Sequence, residues 1–248
     1  MFYFRPETND RLIYEGIYER NEYNLPPSFK SSDCIVDIGA HLGFFSALAL
    51  ERGAGAIYAV EAHPENYQLA VQHLKAGIEQ GRVDLRWGAV WRSDEERTVL
   101  YHSGFKRGFN HPHPGIEINT GAGNVIFNQT GEEVPTIPFD ELLWEATQQG
   151  NRRVRCLKID CEGAEWPILL TSKKLHLIEE IVGEFHEIGG AHDSLDPLCL
   201  RLPGYERFTV EELELFLGEH HFIFSHHRAT QNDGSPGRRG IFFAQNVS

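Results

Sequence analysis

Residues 34–52 constrain the fold more than any other part of the chain. Cys34-Ile35-Val36-Asp37-Ile38 is a short run rich in β-branched residues, which predicts a strand buried on both faces, as in a parallel sheet. Gly39 and Gly43 follow, and two glycines so close predict a tight turn directly into the apolar helix at 44–52. A strand covered on both faces needs helices above and below it, so strands and helices must go on alternating. They do. Residues 57–61 read as a second strand, 64–78 as a helix with Pro64 in its first turn, and 83–87 as a third strand. Residues 139–146 and 165–170 read as helices on either side of a strand at 154–160. A strand at 178–185 and a helix at 210–219 follow. Apolar stretches at 222–225 and 240–244, joined by the turn-rich Asn232-Asp233-Gly234-Ser235-Pro236-Gly237, predict a closing hairpin whose last strand runs antiparallel.

Two regions break this rhythm. Residues 1–33 are mixed and polar and read as a lead-in or cap with one helix near 10–20, ahead of a single domain at 34–248. Residues 101–134 hold six glycines, two prolines and the histidines His102, His111 and His113; an irregular insertion or lid suits them better than a second domain.

Charge narrows the partners. With 23 Lys and Arg against 36 Asp and Glu, the formal net charge is -13. That disfavours nucleic acid, whose binding rests on neutralising phosphates, and disfavours an anionic membrane surface. The longest strongly apolar stretch, 44–50, is too short to span a bilayer. The first residues lack the pattern of a secretory signal, so the cytoplasm is the expected compartment. Cys34, Cys156, Cys161 and Cys199 have no metal-binding spacing and are expected to be reduced.

The glycine loop is not a phosphate cradle: it lacks the third glycine of the dinucleotide fingerprint and the Gly-Lys-Ser/Thr of a P-loop. Asp37, just before the loop, would repel a pyrophosphate and suits a ligand presenting an ammonium group. Glu61 ends the second strand, about 20 residues past the loop, where a carboxylate accepts from both hydroxyls of a ribose. Asp37 and Glu61 are therefore expected to flank one crevice and hold the two ends of an adenosyl ligand. S-adenosylmethionine fits this pair, with NAD as the rival.

Three segments resemble the FkbM family of methyltransferases. They are the run from Val36 to Ser46, the run Ala59-Val60-Glu61-Ala62-His63-Pro64-Glu65-Asn66-Tyr67, and, most specifically, Lys158-Ile159-Asp160-Cys161-Glu162-Gly163-Ala164-Glu165. Weaker similarity runs from Phe4-Arg5-Pro6 through Glu22-Tyr23 and over 134–143. The resemblance implies a Rossmann-like α/β fold: a seven-stranded, mostly parallel sheet with helices on both faces and a C-terminal antiparallel hairpin. It also implies S-adenosylmethionine as cofactor. Asp37, Gly39, Ala40, His41, Gly43, Phe44 and Phe45 of the first loop, Glu61 and Ala62, Gly88 and Ala89 beside the adenine, and Asp160 would then line the cofactor site. His41 and Ala62 depart from the family's usual asparagine and proline. The acceptor implied is a hydroxyl of a sugar or other natural product, with nitrogen methylation and a non-catalytic cofactor-binding module as the alternatives.

Methyl transfer to an alcohol needs alignment and removal of a proton. Asp160, beyond the fourth strand and on the same face as Lys158, is the expected base or orienting group, with Glu162 assisting. Glu184 and His186 alternate to one side of the fifth strand and complete the catalytic set. No metal ligand is assigned; a divalent cation held by these carboxylates and the imidazole is the lesser alternative. The sequence does not set the oligomeric state; the insertion and the hairpin are the candidate contact surfaces of a homodimer.

Overall fold

The computed structural model describes residues 2–94, 99–101, 115–123, 131–188, 202, 205, 207–230 and 234–248. The expected positions His102, His111, His113 and Cys199 lie outside the described residues.

The chain opens with α1 (Asp10–Tyr18), then alternates through β1 (Cys34–Ile38), α2 (Phe44–Glu51), β2 (Ala56–Glu61), α3 (Pro64–His73), α4 (Lys75–Glu79) and β3 (Val83–Trp87). Four three-residue strands follow: β4 (Ala89–Trp91), β5 (Val99–Tyr101), β6 (Glu132–Val134) and β7 (Thr136–Pro138). Next come α5 (Phe139–Ala146), β8 (Cys156–Ile159), α6 (Glu165–Leu170), β9 (Glu180–His186), α7 (Val210–Glu219), β10 (Phe222–Thr230) and β11 (Pro236–Asn246).

Seven strands form the main sheet in the order β10-β11-β9-β8-β1-β2-β3. β3, β2, β1, β8 and β9 pair in parallel, whereas β11 pairs antiparallel with both β9 and β10. Every residue of β1 is buried, as a central parallel strand requires. Its alternation divides the core. Cys34, Val36 and Ile38 join one cluster with Phe139 and Leu143 of α5, Trp166 of α6 and Leu213 of α7. Ile35 joins a second cluster with Ile17 of α1 and with Phe44, Phe45 and Leu48 of α2. At roughly 1.5–3 kcal/mol for each large apolar side chain removed from water, these two layers drive the fold.

Three details differ from the sequence pattern. The helix expected over 64–78 breaks at Leu74, which closes α3 and opens α4. The terminal strands are longer than their apolar centres. Pairing runs out to Thr230 and Pro236, because the backbone ladder tolerates polar side chains on an outer strand. The short pairs β4–β7 and β5–β6 were too brief to show as periodicity. β5 and β6 pair antiparallel at the two ends of the irregular segment. Among the described residues, no helix is long and apolar enough to cross a membrane.

Candidate functional site

β1 leads to β2 on one side of the sheet, and β8 is added on the other. Between β1 and β8 the order therefore reverses, and ligands of open α/β sheets bind at such a switch point. A cavity lies there, beyond the carboxyl ends of the strands. Its walls include Gly39, Ala40, His41, Phe44 and Phe45 of the first loop and helix, and Glu61 and Ala62 after β2. Gly88 and Ala89 beside β4, and Asp160, Glu162 and Glu184 near the ends of β8 and β9, complete the expected part of the wall.

The loop after β1 is fixed by close approach. Gly39 and Ala40 both donate their N–H groups to the Val60 carbonyl, at 3.0 Å each. Gly39 has a φ of 73°, and a Cβ there would overlap the carbonyl oxygen of Asp160. Gly39→Ala is accordingly expected to destabilise the protein by about 2 kcal/mol or more, read as a lowered urea midpoint at unchanged slope. His41, at φ 52°, places its N–H 2.7 Å from Glu61 Oε2. The His63 N–H donates to Glu61 Oε1 at 2.7 Å. Glu61 is 6% exposed. Burial pushes its carboxyl up to about 7, although the His63 and His41 amides favour the charged form. Each oxygen of an ionised carboxylate accepts about two hydrogen bonds, so one acceptor position per oxygen remains.

Asp37 does not flank this cavity. It lies beneath the loop, wholly buried, with its Oδ2 accepting from Ser46 Oγ at 2.6 Å. Register explains the correction. Asp37 is directly opposite Lys158 in the β1–β8 pairing, and the Lys158 ammonium stands 3.5 Å from Asp37 Oδ1. Lys158 thus supplies the positive partner expected of a ligand. It also donates to the Gly39 carbonyl at 2.5 Å and the Ile38 carbonyl at 3.3 Å. Burial works against its charge, but Asp37, Asp160 and Glu61 outweigh it and hold the proton on. Gly43 is also outside the wall. Its φ of 78° makes it the left-handed cap of α2, a turn role rather than a contact.

The acceptor end is acidic. Asp160 accepts from the Tyr23 hydroxyl at 3.0 Å and lies 4.0 Å from the Lys158 ammonium. Burial, then the neighbouring carboxylates, pushes Glu162 up to about 7 and Glu184 up to about 8. Glu162 has a φ of 53°. Left-handed non-glycine residues such as this and His41 are costly and cluster at functional sites.

His186 is displaced from its expected place in the wall. It stands behind Glu162 and Glu184, its Nε2 being 3.4 Å and 4.0 Å from their carboxylates. Its Nδ1 is 2.8 Å from Glu165 Oε1. Burial opposes the imidazolium, but Glu165, Glu162 and Glu184 overcome it and raise the ring to about 10. A ring held protonated in this way is no general base near neutral pH.

Several wall residues had no signal in spacing or periodicity. Asn9, Ile13, Ile17, Glu22 and Tyr23 come from the lead-in, Asn66 from α3, Asn119, Thr120 and Gly121 from the irregular segment, and Arg239 from β11. Only the N-terminal resemblance had pointed near Tyr23. The lead-in and the irregular segment hold each other. Glu117 and Ile118 donate to the Glu7 carbonyl at 2.8 Å and 3.0 Å, and Thr120 Oγ1 donates to Asp10 Oδ1 at 2.7 Å. The Arg5 guanidinium clamps the same Asp10, at 2.8 Å and 2.9 Å. His41 Nε2 meets Thr120 Oγ1 at 2.9 Å, and burial lowers this imidazole to about 3. Trp87 at the end of β3 is 40% exposed, while Trp91 of β4 is buried.

Comparison with known proteins identifies the family. Residues 37–224 match the family model described as the methyltransferase FkbM domain. The crystal structure of the methyltransferase FkbM from Methylobacillus flagellatus superposes with a TM-score of 0.50 at 15% identity, covering 94% of this chain. This chain spans 47% of that one, about half its length. M. capricolum TrmK, solved with S-adenosyl-homocysteine, aligns at a TM-score of 0.45 and 10% identity over 93% of this chain and 69% of its own. No curated protein matches. The family match runs from Asp37 at the head of the glycine loop through the strand ends that wall the cavity, and the chain belongs to the FkbM family of S-adenosylmethionine-dependent methyltransferases.

Proposed function

We propose that the protein methylates a hydroxyl group of a small molecule, of the sugar or natural-product class. One observation carries this reading: Asp160, Glu162 and Glu184 converge on the same cavity as the ribose-type carboxylate Glu61. A spare acceptor position on each oxygen of buried Glu61 suits a vicinal diol, and the Gly39–His41 turn, left-handed at Gly39 and His41, forms part of the cavity wall beside it. These residues fit S-adenosylmethionine, with Glu61 holding the ribose and the apolar Ala62 and Ala89 beside the adenine. When bound, that cofactor supplies a methyl group activated by a positive sulfur.

The chain's own residues do the rest. Asp160, steadied by Tyr23 and Lys158, orients the acceptor hydroxyl. Glu184 or Glu162 would take the proton that the acceptor hydroxyl gives up on methylation. A carboxylate with a raised pKa is a stronger base than an ordinary one, which is what an alcohol requires. The net charge of -13 favours a small acceptor over nucleic acid.

The test is incubation with S-adenosylmethionine and panels of polyols, glycosides and amines, scored by a mass gain of one methyl. Modification confined to amines would end the hydroxyl reading. Calorimetry should also detect S-adenosylhomocysteine and not NAD. Its affinity is expected to rise as pH passes about 7, because ionised Glu61 can accept from two hydroxyls while keeping both amides. Glu61→Gln should bind about tenfold or more weakly and lose that pH dependence; a wild-type profile in the variant would remove Glu61 from the ribose site.

A further inference from the structure

Behind the acidic end of the cavity, Asp160, Glu165 and His186 each bring one potential ligand atom within 4.8 Å of the others. We propose that this cluster is a binding site for a first-row divalent metal ion, next to the position of the methyl acceptor.

Three observations support it. The first is geometric. α6 begins at Glu165 and β9 ends at His186, so two rigid elements aim these side chains at the loop that carries Asp160. The second is an incomplete set of partners. Glu165 is fully buried. Its Oε1 meets His186 Nδ1 at 2.8 Å, yet its Oε2 and the Nε2 of His186 have no hydrogen-bond partner. Buried polar atoms in native proteins are ordinarily satisfied, by protein, water or an ion. His186 Nε2 has the Glu162 carboxylate at 3.4 Å, so the buried Glu165 Oε2 is the orphan that marks a place for something else. The third is charge. Asp160, Glu162, Glu165 and Glu184 stand about the His186 imidazole, and even with the Lys158 ammonium 4.0 Å from Asp160 the carboxylates outnumber the cationic groups that face the cluster. Arg239, a further wall residue paired with His186 across the β11–β9 ladder, adds a positive charge that acts on Glu162 and Glu184.

Mixed carboxylate and imidazole ligands suit ions such as Mn²⁺ or Zn²⁺. Binding would displace the proton from His186, since a ligating imidazole must be neutral. Three protein ligands leave coordination positions open. Glu162, 3.4 Å from His186 Nε2, is near enough to fill one. An ion there would polarise the acceptor hydroxyl and lower its pKa, complementing the carboxylate base.

The experiment is calorimetric titration of the chelator-treated, desalted full chain with Mn²⁺ and with Zn²⁺, in the absence of cofactor and acceptor. One equivalent of either ion is expected to bind. Glu165→Gln and Asp160→Asn, each checked for native circular dichroism, are expected to weaken it about tenfold or more. If Glu165→Gln fails to fold, the more exposed Asp160→Asn decides. No saturable binding of either ion by the wild-type protein, or wild-type affinity in a folded variant, overturns the proposal. Because neither cofactor nor acceptor is present, such a failure leaves the methyl-transfer reading intact.

Discussion

Asp160→Asn is expected to lower turnover by about 10²–10⁴-fold while S-adenosylhomocysteine binds within about threefold of wild type. The two readouts separate because the residue serves one end of the cavity. The contacts proposed for the cofactor come from Glu61, held by the His41 and His63 amides, and the Asp160 side chain touches neither amide. Asp160 instead takes the Tyr23 hydroxyl on Oδ2 and stands 4.0 Å from Lys158. Asparagine keeps the size of the group but loses the charge that steadies a hydroxyl surrendering its proton. The measurement is single-turnover methyl transfer beside calorimetric binding. Unchanged turnover would show that Asp160 neither orients the acceptor nor assists proton loss. Equal loss of binding and turnover would show that the substitution collapsed the cavity wall.

The second large effect is on stability. Lys158→Met should cost about 3–5 kcal/mol of unfolding free energy, the usual result of removing one partner from a buried ion pair. The side chains of Lys158 and Asp37 are 4% and 0% exposed, so water does not replace the lost ammonium. The substitution also abandons the Ile38 and Gly39 carbonyls, and with them the turn on which His41 and Glu61 depend. A double substitution, Lys158→Met with Asp37→Asn, should recover part of the loss because no uncompensated carboxylate remains. Urea denaturation followed by circular dichroism checks both. A single variant within about 1 kcal/mol of wild type would mean that Asp37 is not balanced by Lys158.

Asp37 also shows how far a pattern can be read. Its place at the end of a buried strand before a glycine turn was legible in the sequence, but the ligand ammonium expected beside it is in fact the Lys158 side chain. That partner was not legible, because the parallel register that sets Lys158 opposite Asp37 joins segments about 120 residues apart. His186 makes the same point. Alternation along β9 put it on the side of Glu184, but only the packing of α6 brought Glu165 against its ring and took it out of the cavity wall. Tyr23 lies in a lead-in with no periodicity to interpret, and reaches Asp160 only because α1 docks on α2 in the second core cluster.

Local chemistry by itself determined the strands and helices of the main sheet, the turn at Gly39, and the two carboxylate positions Glu61 and Asp160. These depend on apolar spacing, backbone freedom and strand ends, all of which are encoded within a few neighbouring residues. The tertiary structure alone decided what each buried charge faces: Asp37 with Lys158, Asp160 with Tyr23, and Glu165 with His186. Coulomb and hydrogen-bond energies depend on distances across the fold, and strand order, register and helix docking set those distances.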